Sequence, residues 1–376
     1  MSTTNFETPP TASENATMRD DLTVRNVSRI GPMLWIGFYT SILNVFTLTL
    51  FRFWGRTHFR RRLWSDTSVG GEPLEYTGRG LELFIGFVIA IFTLMLPFVG
   101  IVFAVQFFIG PETIYLAAVP LLLYAFLFFI LGVAIFLARR YHLSRTRLRG
   151  IRFAQTGSAL GYGVAMFGYL ILSIITLGWY GPAARIKLSR KLWEKAYFGS
   201  EQFSFTDTAE AMAEPVYKSF AFAWFGTIIV YAIWAGWFFT SMGESFTETA
   251  TAPDLELMGK LYLSFIPMAI LIGIFVSWHE AVMIRRIVKS LRVAGADFSS
   301  SMKTIDIIEL AITNTLLVIF TLGFGFMAAQ MRVWKRIANR TALDGDVDFD
   351  RIQQTTEAAP KQGEGLADGL DIISNF

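Results

Sequence analysis

The chain has 376 residues, 53% of them hydrophobic, 15% aromatic and only 17% charged, with a mean hydropathy of +0.46. Soluble domains carry about 25% charged residues, so this composition excludes an ordinary soluble enzyme, a disordered regulator and a collagen-like chain. With no cysteine, disulfides, thiolate metal sites and a cysteine nucleophile are excluded too.

The net charge of +3 hides a pattern: 24 of the 33 Lys and Arg fall in five runs, at 52–62, 139–152, 185–195, 285–292 and 332–340. Each run directly follows an apolar stretch. A membrane surface therefore fits the basic pI of about 9.0 better than a nucleic acid does.

Residues 1–30 are polar and mixed in charge, and are expected to form a flexible cytoplasmic tail with no cleavable signal peptide. Seven apolar stretches follow, at 33–51, 81–109, 114–138, 159–180, 217–240, 261–284 and 306–328. A spanning helix needs about 20 apolar residues, and all seven approach or pass that length. The loop at 110–113 has no Lys or Arg, and the loop at 241–260 sets Glu244, Glu248, Asp254 and Glu256 against Lys260. Both read as external, which leaves all five basic runs cytoplasmic. Stretches 81–109 with 114–138, and 217–240 with 261–284, then form two transmembrane helical hairpins. Stretches 33–51, 159–180 and 306–328 each start and end beside cytoplasmic sequence. They read as re-entrant or broken helices, with interfacial helices and plain spans as the alternatives.

The chain repeats itself. The segment from Thr47 aligns without gaps on the segment from Thr176, an offset of 129, and a third copy starts at Thr321. With Gly71, Gly150, Ser200, Gly295 and Gly345 in one column, the residues ten positions earlier are Arg61, Arg140, Arg190, Arg285 and Lys335. The predicted fold is an all-α polytopic membrane protein built of parallel repeats. Each repeat comprises a re-entrant or broken helix, a basic amphipathic helix, a short β-hairpin and a transmembrane helical hairpin. Repeat A covers 31–158, repeat B 159–304 and a truncated repeat C 305–350. A disordered acidic tail fills 351–376.

The stretch FRFWGRTHFRRRLWSDTSVGGEPLEYTG resembles the signature of the YjgN-like bacterial inner-membrane proteins, through Trp54, Arg56, Arg61, Leu63, Trp64, Thr67, Gly71, Tyr76, Thr77 and Gly78. The resemblance runs from about 28 to 350. It implies a multi-pass bacterial inner-membrane protein with both termini cytoplasmic, and it implies no reaction. Pro73 and the acidic end of the third copy (Asp344, Asp346, Asp348) depart from the pattern and put a regular third hairpin in question.

No catalytic, cofactor or metal constellation is found. Walker A, GxSxG and HExxH patterns are absent, and His58, His142 and His279 lack ligand spacing. Glu82, Glu280, Asp306 and Glu309 fall near cytoplasmic helix ends rather than at the midplane. Gly157 and Gly161 form a weak GxxxG helix-packing motif.

Two features remain. The symmetry-related breaks at Thr47 and Thr49, Thr176 and Gly178, and Thr321 and Gly323 are candidates to line a cavity. The column Arg61, Arg140, Arg190, Arg285 and Lys335 is a candidate contact for anionic phospholipid headgroups; its plainer reading is topology plus pairing with carboxylates such as Glu75 and Glu201. The leading expectation is a transporter- or channel-like passage for a small solute or lipid. The alternative is a non-transporting scaffold that binds anionic lipid or a protein partner through its basic collar. A homo-oligomer fits either reading; nucleic acid fits neither.

Overall fold

The computed structural model describes residues 23–92, 96–109, 115–246, 255–345, 347 and 349–356. The loop at 110–113, and most of the acidic one before Lys260, lie outside the described residues.

In chain order, strand β1 (Val24–Asn26) leads to helices α1 (Ile30–Phe46) and α2 (Arg52–Ser65), then to strands β2 (Thr67–Val69) and β3 (Glu72–Tyr76). Helices α3 (Gly80–Ala90), α4 (Leu96–Ile109) and α5 (Tyr115–Arg145) follow, then β4 (Thr146–Leu148) and β5 (Ile151–Gln155). Helices α6 (Ala159–Ile175) and α7 (Gly181–Trp193) precede β6 (Ala196–Phe198), β7 (Glu201–Gln202) and β8 (Ser204–Phe205). A short α8 (Ala209–Met212), α9 (Val216–Phe246) and α10 (Leu255–Val288) lead to β9 (Leu291–Val293) and β10 (Ala296–Ser300). Helices α11 (Thr304–Phe320) and α12 (Phe326–Asn339) end in β11 (Thr341–Asp344).

The hairpins β2–β3, β4–β5, β6–β7 and β9–β10 each turn on two residues, which demands backbone that side chains disfavour. Gly70–Gly71, Arg149–Gly150 and Ala294–Gly295 all have positive φ at both positions, whereas Gly199–Ser200 has it only at Gly199.

The hairpins are not isolated ribbons. Strands β1 to β7 form one antiparallel sheet in chain order, and β8 to β11 form a second. Strands β7 and β8 are consecutive pieces of one segment flanking Phe203, whose N–H donates to the Ala196 carbonyl. At the other end, Thr23 bridges Ala342 and brings β1 against β11. The strands thus run a closed circuit, and an all-α description is too narrow: the helices dominate, but each strand finds its missing partners in the next hairpin. Among the described residues no strand after β11 pairs with it in a hairpin, and β1, from the segment expected to be a tail, stands in that place.

Burial alternates along the strands, as in β4 and β9, where the first and third residues are buried and the middle Arg is exposed. The inward residues make one core: Leu74, Leu148, Ala196, Phe198, Phe203, Val293, Ala296 and Leu343. Val347 and Ile352, from the chain beyond β11, complete it. Phe349 stacks under Arg149, its ring centroid 4.5 Å from the guanidinium carbon. The backbone of Gln353 exchanges hydrogen bonds with Ser200.

Among the described residues three helical stretches are long and apolar enough to cross a membrane, Pro120–Arg145, Ala209–Ser241 and Met258–Val288. Helices α5 and α6 pack closely, but not through the GxxxG glycines. Gly157 sits in the turn before α6, and the close approach is between Gly132 and Gly163, where an added Cβ on Gly132 would lie 2.9 Å from the Gly163 Cα.

Candidate functional site

Helices α1, α6 and α11 are each 17 residues long, and each is followed by a threonine at its C-cap. The Leu that follows has φ of 49°, 51° and 50° at Leu48, Leu177 and Leu322. The next residues, Thr49, Gly178 and Gly323, are also left-handed, at 71°, 90° and 91°. One hydroxyl then serves both helices of the pair. Thr176 Oγ1 donates to the Leu172 carbonyl at 2.8 Å and accepts the N–H of Tyr180 at 2.9 Å. Thr47 does the same between Leu43 and Phe51, and Thr321 between Leu317 and Gly325. The bonds close one helix and open the next, satisfying orphan groups at both ends. The candidate cavity residues Thr47, Thr49, Thr176, Gly178, Thr321 and Gly323 therefore sit at the tips of three helix pairs. Around them the tips are bare and apolar: Phe46, Leu48, Ile175, Leu177, Phe320 and Leu322 are all more than 70% exposed.

The basic column has local work. Arg61 donates to the Gly78 carbonyl, Arg285 to the Met302 carbonyl and Lys335 to the Ser28 carbonyl, at 3.1, 2.7 and 2.7 Å. Arg190 binds the Asp207 carboxylate. Each cation near a helix end thus reaches the segment that leaves its own hairpin, with β1 standing as the return strand for Lys335. Among the described residues Arg140 has no such partner. The carboxylates expected as partners, Glu75 and Glu201, are not the ones used. Two carboxylates on the segment that follows β8 are each shared by two cations. Arg285 and Lys289 share Glu214, and Arg190 and Arg286 share Asp207. The Arg286 and Arg190 hydrogen bonds hold the Asp207 carboxyl below the usual carboxylate range, against a smaller opposing effect of burial.

A second set of bonds joins each hairpin to the next helix end. The N–H groups of Thr77, Thr156, Thr206, Ser301 and Val27 donate to the carbonyls of Arg145, Lys195, Ser290, Arg340 and Asp66, at 2.8–2.9 Å. Five equivalent bonds therefore run round the circuit, and the last crosses from the N-terminal strand back to α2.

The α11–α12 corner carries the densest charge. Asp306, its side chain 3% exposed, accepts the Lys303 N–H and binds Arg336 and Arg340, while Glu309 takes the other side of Arg336. Burial raises the Asp306 carboxyl, but the Lys303 N–H and the two guanidinium groups outweigh it and hold the group below its ordinary range. Sequence reasoning placed Asp306 at a helix start; the two arginines, 30 and 34 residues on, carry no local signal. Each histidine meets a hydroxyl: His58 that of Tyr39, His142 that of Tyr76 and His279 that of Ser219.

No curated protein and no solved structure matches the chain. A family model does: it is described as bacterial protein of unknown function (DUF898) and matches residues 34–369. The arrangement of basic helix ends, glycine turns and apolar helix pairs described above is thus that of a member of this bacterial family of unknown function, the YjgN-like family, to which the chain belongs.

Proposed function

We propose that this protein is a non-transporting scaffold of the bacterial inner membrane. In this reading, a cytoplasmic β-ring carries two long helical hairpins that cross the bilayer and three short ones that wedge into the near leaflet. Both termini are then cytoplasmic, and the segments from Thr47, Thr176 and Thr321 are parallel repeats. The observation that carries the reading is the character of the three tips. Leu48, Leu177 and Leu322 are 85%, 74% and 84% exposed, and no charged residue lies between Phe46 and Phe51, Ile175 and Tyr180, or Phe320 and Phe326. A bare apolar loop of this kind is costly in water and stable in acyl chains.

The cations limit the depth. Arg52 opens α2, Arg185 lies in the second turn of α7 and Arg332 in the second turn of α12. At 1.5 Å rise per residue these charges stand within about 10 Å of the start of their helices, so a tip enters by less than one leaflet, about 15 Å, while the long cationic side chains reach back to the headgroups. A passage for solute needs a polar path, whereas the threonine hydroxyls are taken up by capping and the ring centre is filled by apolar side chains.

The reading is tested in proteoliposomes. Wild-type protein is expected to reduce vesicle diameter with rising protein-to-lipid ratio without releasing an entrapped solute. The triple variant Leu48→Ser, Leu177→Ser, Leu322→Ser should lose the effect on diameter. Solute release that rises with wild-type protein and falls in Thr176→Val would favour the passage instead.

A further inference from the structure

The ring has one place where it is not covalently continuous. Four hairpins turn through two residues, but the fifth is assembled from the first and last described strands, β1 and β11, joined by the bridge Thr23–Ala342. Asn26 and Asn339 clamp this seam: the Asn26 N–H donates to Asn339 Oδ1 at 2.6 Å, and Asn339 Nδ2 donates to the Asn26 carbonyl at 3.2 Å. Two cavities open on either side of the clamp, of about 490 and 400 Å³, and both are lined by Asn339 and Arg340.

Their lining is cationic and hydroxylic. The larger one presents Arg25, Arg340 and the run Ser299–Ser300–Ser301. The smaller presents Ser28, Arg332, Lys335 and Arg336 beside Ile30, Leu310 and Met331. Among the described residues no carboxylate lines either cavity, and Asp306 engages Arg336 and Arg340 from α11. The hydroxyls are the telling groups. Ser300 lines the larger cavity and Ser28 the smaller; the residues are 8% and 1% exposed, and the Oγ of each is buried with no hydrogen-bond partner. A buried hydroxyl with no partner has lost its water without replacement, so such groups are ordinarily matched by something that fills the site. The start of α1 adds to this. It has no side-chain cap and no acidic residue in its first turn, so its free N–H groups beside Ser28 favour an anion.

We propose that the seam is a binding site for a phosphate group. In the larger cavity Arg25 and Arg340 face the phosphate oxygens and Ser300 donates its hydroxyl. In the smaller one Ile30, Leu310 and Met331 border the cations, so an amphiphile has an apolar wall beside the charge. The shared chemistry is a phosphate with at least one negative charge, carried by an anionic lipid headgroup or by a free phosphate. The site stands apart from the apolar tips and does not depend on their role.

The experiment uses the full chain in nanodiscs of phosphatidylcholine. Inorganic phosphate is titrated by calorimetry. In a second arm, phosphatidylglycerol is added to the nanodisc and retained lipid is counted by native mass spectrometry. Either probe should bind saturably, and Arg25→Gln and Ser300→Ala should each weaken binding roughly tenfold at unchanged melting temperature. Arg147→Gln, on the exposed face of β4, should leave it unchanged. Binding of inorganic phosphate alone assigns a soluble ligand, and retention of phosphatidylglycerol alone assigns a lipid. No saturable binding of either, or equal loss in Arg147→Gln, would overturn the proposal.

Discussion

At the residue scale, the informative positions are those where one side chain closes two open ends. Thr47, Thr176 and Thr321 were legible from their Thr-Leu register, but their work was not. A pattern of small polar residues reads equally as a lining or as a cap, and only the bonds to Leu172 and Tyr180 separate them. Thr176→Val is expected to destabilise the protein by about 1 kcal/mol, while Thr176→Ser keeps most of the stability, as read by thermal unfolding in detergent. The five basic positions were legible for the same reason of recurrence. Their partners were not, because a carbonyl 17 residues away, such as Gly78 for Arg61, leaves no mark in composition. The corner at Asp306 makes a pH prediction. Its folded pKa lies below the unfolded one, so its stabilisation is complete above about pH 4 and is lost as pH falls through the lowered value. Asp306→Asn should cost roughly 2–3 kcal/mol at pH 7, and the gap to wild type should narrow on acidification. A gap that is constant from pH 7 to pH 3 would remove the carboxylate from the account.

At the element scale, the strand pairs follow from glycine. Gly150 has φ of +75° with open space around its Cβ position, so Gly150→Ala pays only for backbone strain, about 1 kcal/mol. Gly199 differs: an added Cβ would stand 2.2 Å from the Gln353 carbonyl oxygen and 2.8 Å from Ile352. Gly199→Ala should therefore also loosen the segment at 349–354 from the ring, seen as faster tryptic cleavage after Arg351, whereas Gly150→Ala should not change that rate. The basic helices, the glycine turns and the short strands could all be read from the sequence, since period, charge and turn residues agree. Strand β1 could not. Val24–Arg25–Asn26 is three residues inside a polar segment, and its strand character comes from β2 beside it, with Val24 opposite Val69.

At the scale of the whole molecule, the strands close a circuit and the helices hang from it in three short pairs and two long groups. Composition and charge made the apolar segments and the basic runs legible. Ring closure was hidden, since it depends on the first strand meeting the last across more than 300 residues, at Thr23 and Ala342. The central claim is that all five hairpins share one side of the membrane while the three threonine tips stop inside it. Native absence of cysteine makes the direct measurement clean: single-cysteine accessibility in spheroplasts and inverted vesicles. Glu75→Cys, Arg147→Cys and Arg292→Cys, on exposed strand positions, should react with an impermeant maleimide only from the cytoplasmic side. Leu48→Cys, Leu177→Cys and Leu322→Cys should react from neither side until detergent is added. Labelling of a tip cysteine from the outside, or strand cysteines divided between the two sides, would contradict the account.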